Sequence, residues 1–267
     1  MTDRPASPSK PTAAKPPIIP AATVVIFRNG SVGTPPQLLM VTRSATMSFA
    51  GGAAVFPGGR IDPADHELAA QLDHGLDPDE AAARIAAMRE TLEETGLAIA
   101  LTAPVSADEA ARARAMLLEA TALAPVLAHF GWTLDLAKLV PFARWLPDLP
   151  HSRVFDTRFY LADLGTGAVD ITVDDTENTH LFWISASGAL AKADSGQIQV
   201  IYPTRRNLER LAQFTSFADA RAHADAIPSE TITPWVVDAP DGTRWLHIPD
   251  HLGYPVTREA FENIARG

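Results

Sequence analysis

The stretch DPDEAAARIAAMRETLEETGL, from Asp77 to Leu97, reads as one helix with both ends marked. Asp77 can cap it, Pro78 suits the first helical position and Glu80 completes a capping box. Gly96 is the expected C-terminal stop. On a wheel with Ile85 at zero, Ala81, Met88 and Leu92 fall at about 320°, 300° and 340° and form a core stripe. Glu93, Glu90 and Glu94 fall at about 80°, 140° and 180°, and Arg89 sits beside them at about 40°, able to brace a carboxylate. Three negative charges thus gather at the helix end whose own dipole is negative. Small residues upstream on that side, Ala83, Ala86 and Ala87, would let another backbone come close. As an isolated pattern this is a solvated acidic face; as a site it suits a hard divalent cation such as Mg²⁺ or Mn²⁺, which prefers carboxylate oxygens.

Outward from the helix, residues 60–76 are polar and irregular, with a short helix expected near Glu67–Leu72. Ala53–Phe56 reads as a strand running into the turn Pro57-Gly58-Gly59. Ala21–Arg28 and Leu38–Arg43 read as two strands of a hairpin. Beyond Gly96, Leu97–Leu101 has strand character, and Ala107–His129 is rich in alanine and leucine and reads as one or two helices. Phe155–Leu161 and Phe182–Ile184 read as strands, Ala186–Ala193 as a short helix. Another helix starts at Pro203-Thr204, with Leu208, Leu211 and Phe214 on one side. The remainder, through Trp235, Trp245 and Tyr254, reads as short strands and loops. Strands and helices without regular alternation favour an α+β chain or a layered α/β/α sandwich.

Composition narrows the function classes. The 267 residues include no cysteine, which excludes a disulfide framework, a thiol nucleophile and a zinc ribbon. A net charge of −10 is ill suited to gripping nucleic acid through its phosphates. No stretch approaches a membrane span, and a cytoplasmic protein is expected. Residues 1–20, with six prolines, read as a disordered arm. No H-x-x-x-H zinc pair and no G-x-S-x-G elbow is present.

F-P-G-G-R-I-D at 56–62 together with R-E-T-L-E-E-T-G-L at 89–97 resembles the Nudix box, the signature of hydrolases that cleave a diphosphate linked to another moiety. Gly59, Arg89, Glu90, Glu93, Glu94, Gly96 and Leu97 carry the match. Thr91 stands where the box usually has an aliphatic residue, and the interval from Gly59 to Arg89 is lengthened by the 60–76 loop. The upstream box glutamate has no aligned match: Ala81 occupies its spacing, with Glu80 next to it. R-x-F-D-T-R-F-Y-L at 153–161 and I-x-V-I-Y-P-T-R-R-N-L at 198–208 resemble the branch with a long helical insertion, which includes peroxisomal coenzyme A diphosphatases.

The resemblance implies a Nudix-type α/β/α sandwich with a mixed sheet. One domain would span 21–267, with a helical insertion at about 104–140 and a C-terminal extension from about 191. It implies Glu90, Glu93, Glu94 and the Gly58 carbonyl as metal ligands, Glu93 and Glu94 as catalytic, Arg89 as their orienting partner, and Glu177 as base or extra ligand. Arg205 and Arg206, at a helix start, are candidates for a substrate phosphate. The expected substrate is coenzyme A or an acyl ester of it. The alternatives are another nucleoside diphosphate derivative, such as ADP-ribose or a dinucleotide, or a Nudix-like module that binds a nucleotide without cutting it.

Overall fold

The computed structural model describes residues 17–29, 33–44, 51–147, 154–165, 178–227 and 230–264. Strands β1 (Ile18–Arg28), β2 (Gln37–Arg43), β3 (Ala54–Val55) and β4 (Gly58–Arg60) come first. Helices α1 (Pro63–Ala69), α2 (Pro78–Thr95), α3 (Ala107–Ala120) and α4 (Leu123–Phe130) follow. Then come β5 (Val140–Trp145), β6 (Val154–Asp163), β7 (Asn178–Ile184), α5 (Ala186–Asp194), α6 (Tyr202–Leu211) and α7 (Phe217–Ala226). Short strands β8 (Thr231–Ile232), β9 (Trp235–Asp238), β10 (Arg244–His247) and β11 (Arg258–Ala260) end the chain.

The first eight strands form one mixed sheet in the order β3-β2-β1-β6-β5-β8, with β4 also on β1 and β7 on β2. Its spine is β1 parallel to β6, from Ile18↔Val154 to Phe27↔Asp163. β1 begins at Ile18, so the arm expected to reach residue 20 gives way to strand earlier. Because strand side chains alternate, β1 serves two cores. Ala22, Val24 and Ile26 pack with α2, α3 and α4 on one face. Val25 and Phe27 pack with α5, α6 and α7 on the other. The result is the expected α+β sandwich, with the box helix and the α6 helix on opposite sides of the sheet. β9, β10 and β11 form a separate antiparallel sheet.

Several local expectations change. α1 starts at Pro63 behind Asp62, closed by a reciprocal box with Asp65, rather than near Glu67. Leu97–Leu101 is not a strand; Leu101 alone bridges Leu134, because the turn at Gly96 sends the chain into the insertion and away from the sheet. β5 and α7 were not expected: β5 contains Pro141, a residue depleted in strands. Helix α2 keeps its caps. Asp77 accepts from the Asp79 and Glu80 amides, and Gly96 turns left-handed with φ of 74°. Glu80, however, completes no capping box; it pairs instead with Arg84 at 2.9 Å.

Candidate active site

Helix α2 lies between the sheet and the insertion and is buried on nearly every side. The solvated acidic face is therefore excluded: Glu94 is only 5 % exposed and Arg89 only 4 %. Ala83, Ala86 and Ala87 are fully buried, as close backbone approach requires. Thr91, buried in the aliphatic box position, satisfies its hydroxyl on the Ala87 carbonyl at 2.7 Å, a turn back along the helix.

The glycine turn fits onto the carboxylates. The Gly58 amide donates to Glu94 Oε2 at 2.9 Å. Gly58 has φ of 152°, and a Cβ there would come 2.6 Å from Thr23 Cα. At Gly59 a Cβ would overlap the Glu90 carboxyl itself. Two glycines in succession therefore let β4 run against the acidic end of α2.

Arg89 is the hub. Asp65 grips it bidentately, at 3.0 Å from both Nε and Nη2. Arg89 Nη2 also donates to the Arg60 carbonyl, and Nη1 reaches Glu90 at 2.9 Å and Glu93 at 3.5 Å. Burial alone would lower the Arg89 pKa, but its bonds and charge partners Asp65, Glu90 and Asp62 carry it well above the ordinary value. The carboxylate left unmatched in the sequence is thus Asp65, six residues beyond Gly59, and not Ala81 or Glu80. Glu80 instead contacts Arg84 and Arg158. Counting forward from Gly59 finds Asp65; counting back from Arg89 misses it because the lengthened loop intervenes.

Arg89's charge is largely committed to Asp65, so the three glutamates hold a surplus of negative charge. Burial, and then the neighbouring Glu94 and Glu93, push the Glu90 carboxyl up to about 8 despite the opposing pull of Arg89. An all-oxygen donor set short of positive charge fits a hard divalent cation. Among the described residues no three acidic or histidine side chains already converge on one point for a metal. Glu90 is turned to Arg89 and Glu94 to the Gly58 amide, so a bound cation would compete with those partners.

The other predicted residues lie elsewhere. Glu177 falls outside the described residues. Arg205 and Arg206 sit on α6, across the sheet from α2. Arg206 is 2 % exposed and is paired with Glu209 at 2.8 Å and Glu259 at 3.1 Å. Arg205 pairs with Asp194 at 2.7 Å. The structure does not bring these two predicted phosphate ligands to the glutamates: their charges meet carboxylates on α6 and its neighbours, and the sheet lies between.

Arg114, on α3, was missed by sequence reading. Its Nε donates to the main-chain carbonyl of Glu93 at 2.8 Å. No local pattern reveals a partner 21 residues away.

Comparison with known proteins agrees with this geometry. Residues 17–117 match the NUDIX domain. An acyl-coenzyme A diphosphatase of Gallus gallus is 27 % identical over 82 % of this chain and 73 % of its own. The crystal structure of a NUDIX hydrolase from Alicyclobacillus acidocaldarius superposes with a TM-score of 0.67 and 29 % identity, over 78 % of this chain and 97 % of that one. No helix among the described residues is long and apolar enough to cross a membrane. With its box glycines seated on an arginine-braced cluster of box glutamates, the chain carries a NUDIX domain over residues 17–117.

Proposed function

We propose that this hydrolase is metal-dependent and cleaves the diphosphate linkage of coenzyme A or acyl-coenzyme A. The observation that carries the metal dependence is the gathering of Glu90 and Glu93 on one arginine already clamped by Asp65, with Glu94 next to them in sequence and held by the Gly58 amide. Glu90, Glu93, Glu94 and the Gly58 carbonyl would hold Mg²⁺ or Mn²⁺. When bound, such an ion neutralises diphosphate charge and acidifies a coordinated water. Arg89 touches no substrate in this reading; it holds Glu90 and Glu93 in place. Gly58 fixes Glu94 through its amide. Water displaces one phosphoryl group from the other, giving phosphopantetheine, or its acyl ester, and adenosine bisphosphate.

The substrate assignment is supported by the relative acting on acyl-coenzyme A, which matches over 82 % of this chain. Leu117, Leu118, Leu123, Val126 and Leu127 are apolar insertion residues suited to wall a pantetheine arm, and of them Leu117, Leu123, Val126 and Leu127 are buried in the core. Leu118 is 47 % exposed and is the one left to line a groove.

Product analysis over a panel of diphosphates with Mg²⁺ and Mn²⁺ tests both parts. Coenzyme A or its esters should give the highest kcat/KM. Glu93→Gln and Glu94→Gln should each cut turnover by orders of magnitude while the circular dichroism spectrum is retained. Much faster cleavage of ADP-ribose or a dinucleotide would overturn the substrate reading. Near-normal turnover by both variants would remove α2 as the catalytic helix.

A further inference from the structure

The acidic end of α2 draws one cation from its own helix, Arg89, which lies a turn back from the terminus. Its last turn contains no basic residue, although the helix dipole and three glutamates all make that end negative. The final carbonyls of a helix have no partner within it. Here the Leu92 carbonyl is taken by the Gly96 amide, and the Glu93 carbonyl by Arg114 Nε at 2.8 Å. Arg114 comes from α3, an element of the insertion.

That helix is well anchored. Ala110, Ala113 and Leu117 bury its inner face, and Trp132 donates to Glu109 at 2.7 Å. A second tie, Arg84 Nη1 to the Leu136 carbonyl at 2.8 Å, binds α2 to the far end of the insertion. The guanidinium of Arg114 is thus presented to the Glu93 peptide from a rigid platform.

We propose that Arg114 is a positioning residue of the hydrolytic site. By holding the Glu93 carbonyl and placing a positive charge at the α2 terminus, it fixes the backbone from which Glu93 and Glu94 project. The insertion would then be part of the metal-binding machinery and not only a wall for substrate. This inference rests on the proposed metal-dependent hydrolysis.

Two measurements on the full chain test it. The first is Mn²⁺ binding without substrate, by electron paramagnetic resonance. The second is steady-state kinetics with the diphosphate the wild type cleaves best. Arg114→Ala should weaken Mn²⁺ binding and lower kcat by about tenfold each, the range seen when groups that orient metal ligands are removed. Substrate KM should stay near wild type. Arg114→Lys, which keeps charge and donor, and added guanidinium salt with Arg114→Ala should each restore part of kcat. Arg112→Ala, two residues away and in contact with Phe130, should leave both readouts unchanged and so controls for damage to α3. Unchanged Mn²⁺ affinity and kcat in Arg114→Ala would overturn the proposal, as would a rise confined to KM, which would make Arg114 a substrate contact. A wild type that cleaves no diphosphate would instead defeat the functional reading itself.

Discussion

Gly59 shows how little freedom the site leaves to a single side chain. The space a methyl group would need there is filled by the Glu90 carboxyl. Gly59→Ala should therefore displace Glu90 from Arg89 and cut kcat at least tenfold, with a much smaller effect on melting temperature, because the glutamate can swing outward. Loss of fold, or undiminished kcat, would contradict this. The same scale explains what sequence could and could not reveal. Asp77, Gly96 and the box glutamates were legible because their signals are local: a cap, a left-handed turn, a spacing. Asp65 sits at its own local spacing from Gly59, but counting back from Arg89 passes it by, because the lengthened loop sets the two 24 residues apart. Arg206 was misread because an arginine in the first turn of a helix looks the same in sequence whether it meets a phosphate or Glu259, 53 residues on.

Among elements, the contact of α1 with α2 matters most to the site. α1 is a seven-residue helix in the lengthened loop, yet it delivers Asp65 to Arg89 and is closed by the Asp62 amide on the same carboxylate. Asp65→Ala would leave a buried guanidinium short of a partner, at a cost of about 3 kcal/mol. That corresponds to a melting temperature roughly 6–12 °C lower. Turnover should fall as well, since Arg89 would be free to follow Glu90. Scanning calorimetry and kinetics on the purified variant check both effects; an unchanged melting temperature would show that Glu90 and Glu93 alone satisfy Arg89. Elements recognised from sequence were those with strong local pattern, such as α2, α3 and β1. β5 and the lost strand at Leu97–Leu101 were misjudged because strand formation depends on a neighbour to pair with, and sequence does not name the neighbour.

For the whole molecule, the two-faced sheet organises everything else. β1 feeds both cores, and its first residues pair with β6 through Ile18↔Val154, Ile19↔Phe155 and Pro20↔Asp156. Pro20 also accepts the Ile61 amide, just beyond β4. Removing residues 1–16 should leave activity and melting temperature nearly unchanged, since a proline-rich polar segment buries little. Removing residues 1–20 should lower the melting temperature by several degrees, because it strips three residues from the central strand. Equal melting temperatures for the two truncations would show that the start of β1 contributes nothing; a large loss from the shorter one would assign the arm a docking role. The layered architecture itself was legible in the irregular order of strands and helices. The assignment of α6 to the face opposite α2 was not, because which side a helix crosses to is decided by connections rather than by its own composition.

The parallel pairing of β1 with β6 also has a consequence for synthesis of the chain. The first strand leaves the ribosome 136 residues before the residue it will pair with. At ordinary elongation rates that is a wait on the order of ten seconds. During it, an apolar strand stands with an open edge while the box helix and the insertion emerge behind it. Closing so long a loop is slow, and a chain arrested before β6 would hold Glu90, Glu93 and Glu94 yet lack the central ladder. Such nascent fragments should be aggregation-prone and dependent on chaperones, which makes the interval between the two strands a period of vulnerability that the finished enzyme no longer displays.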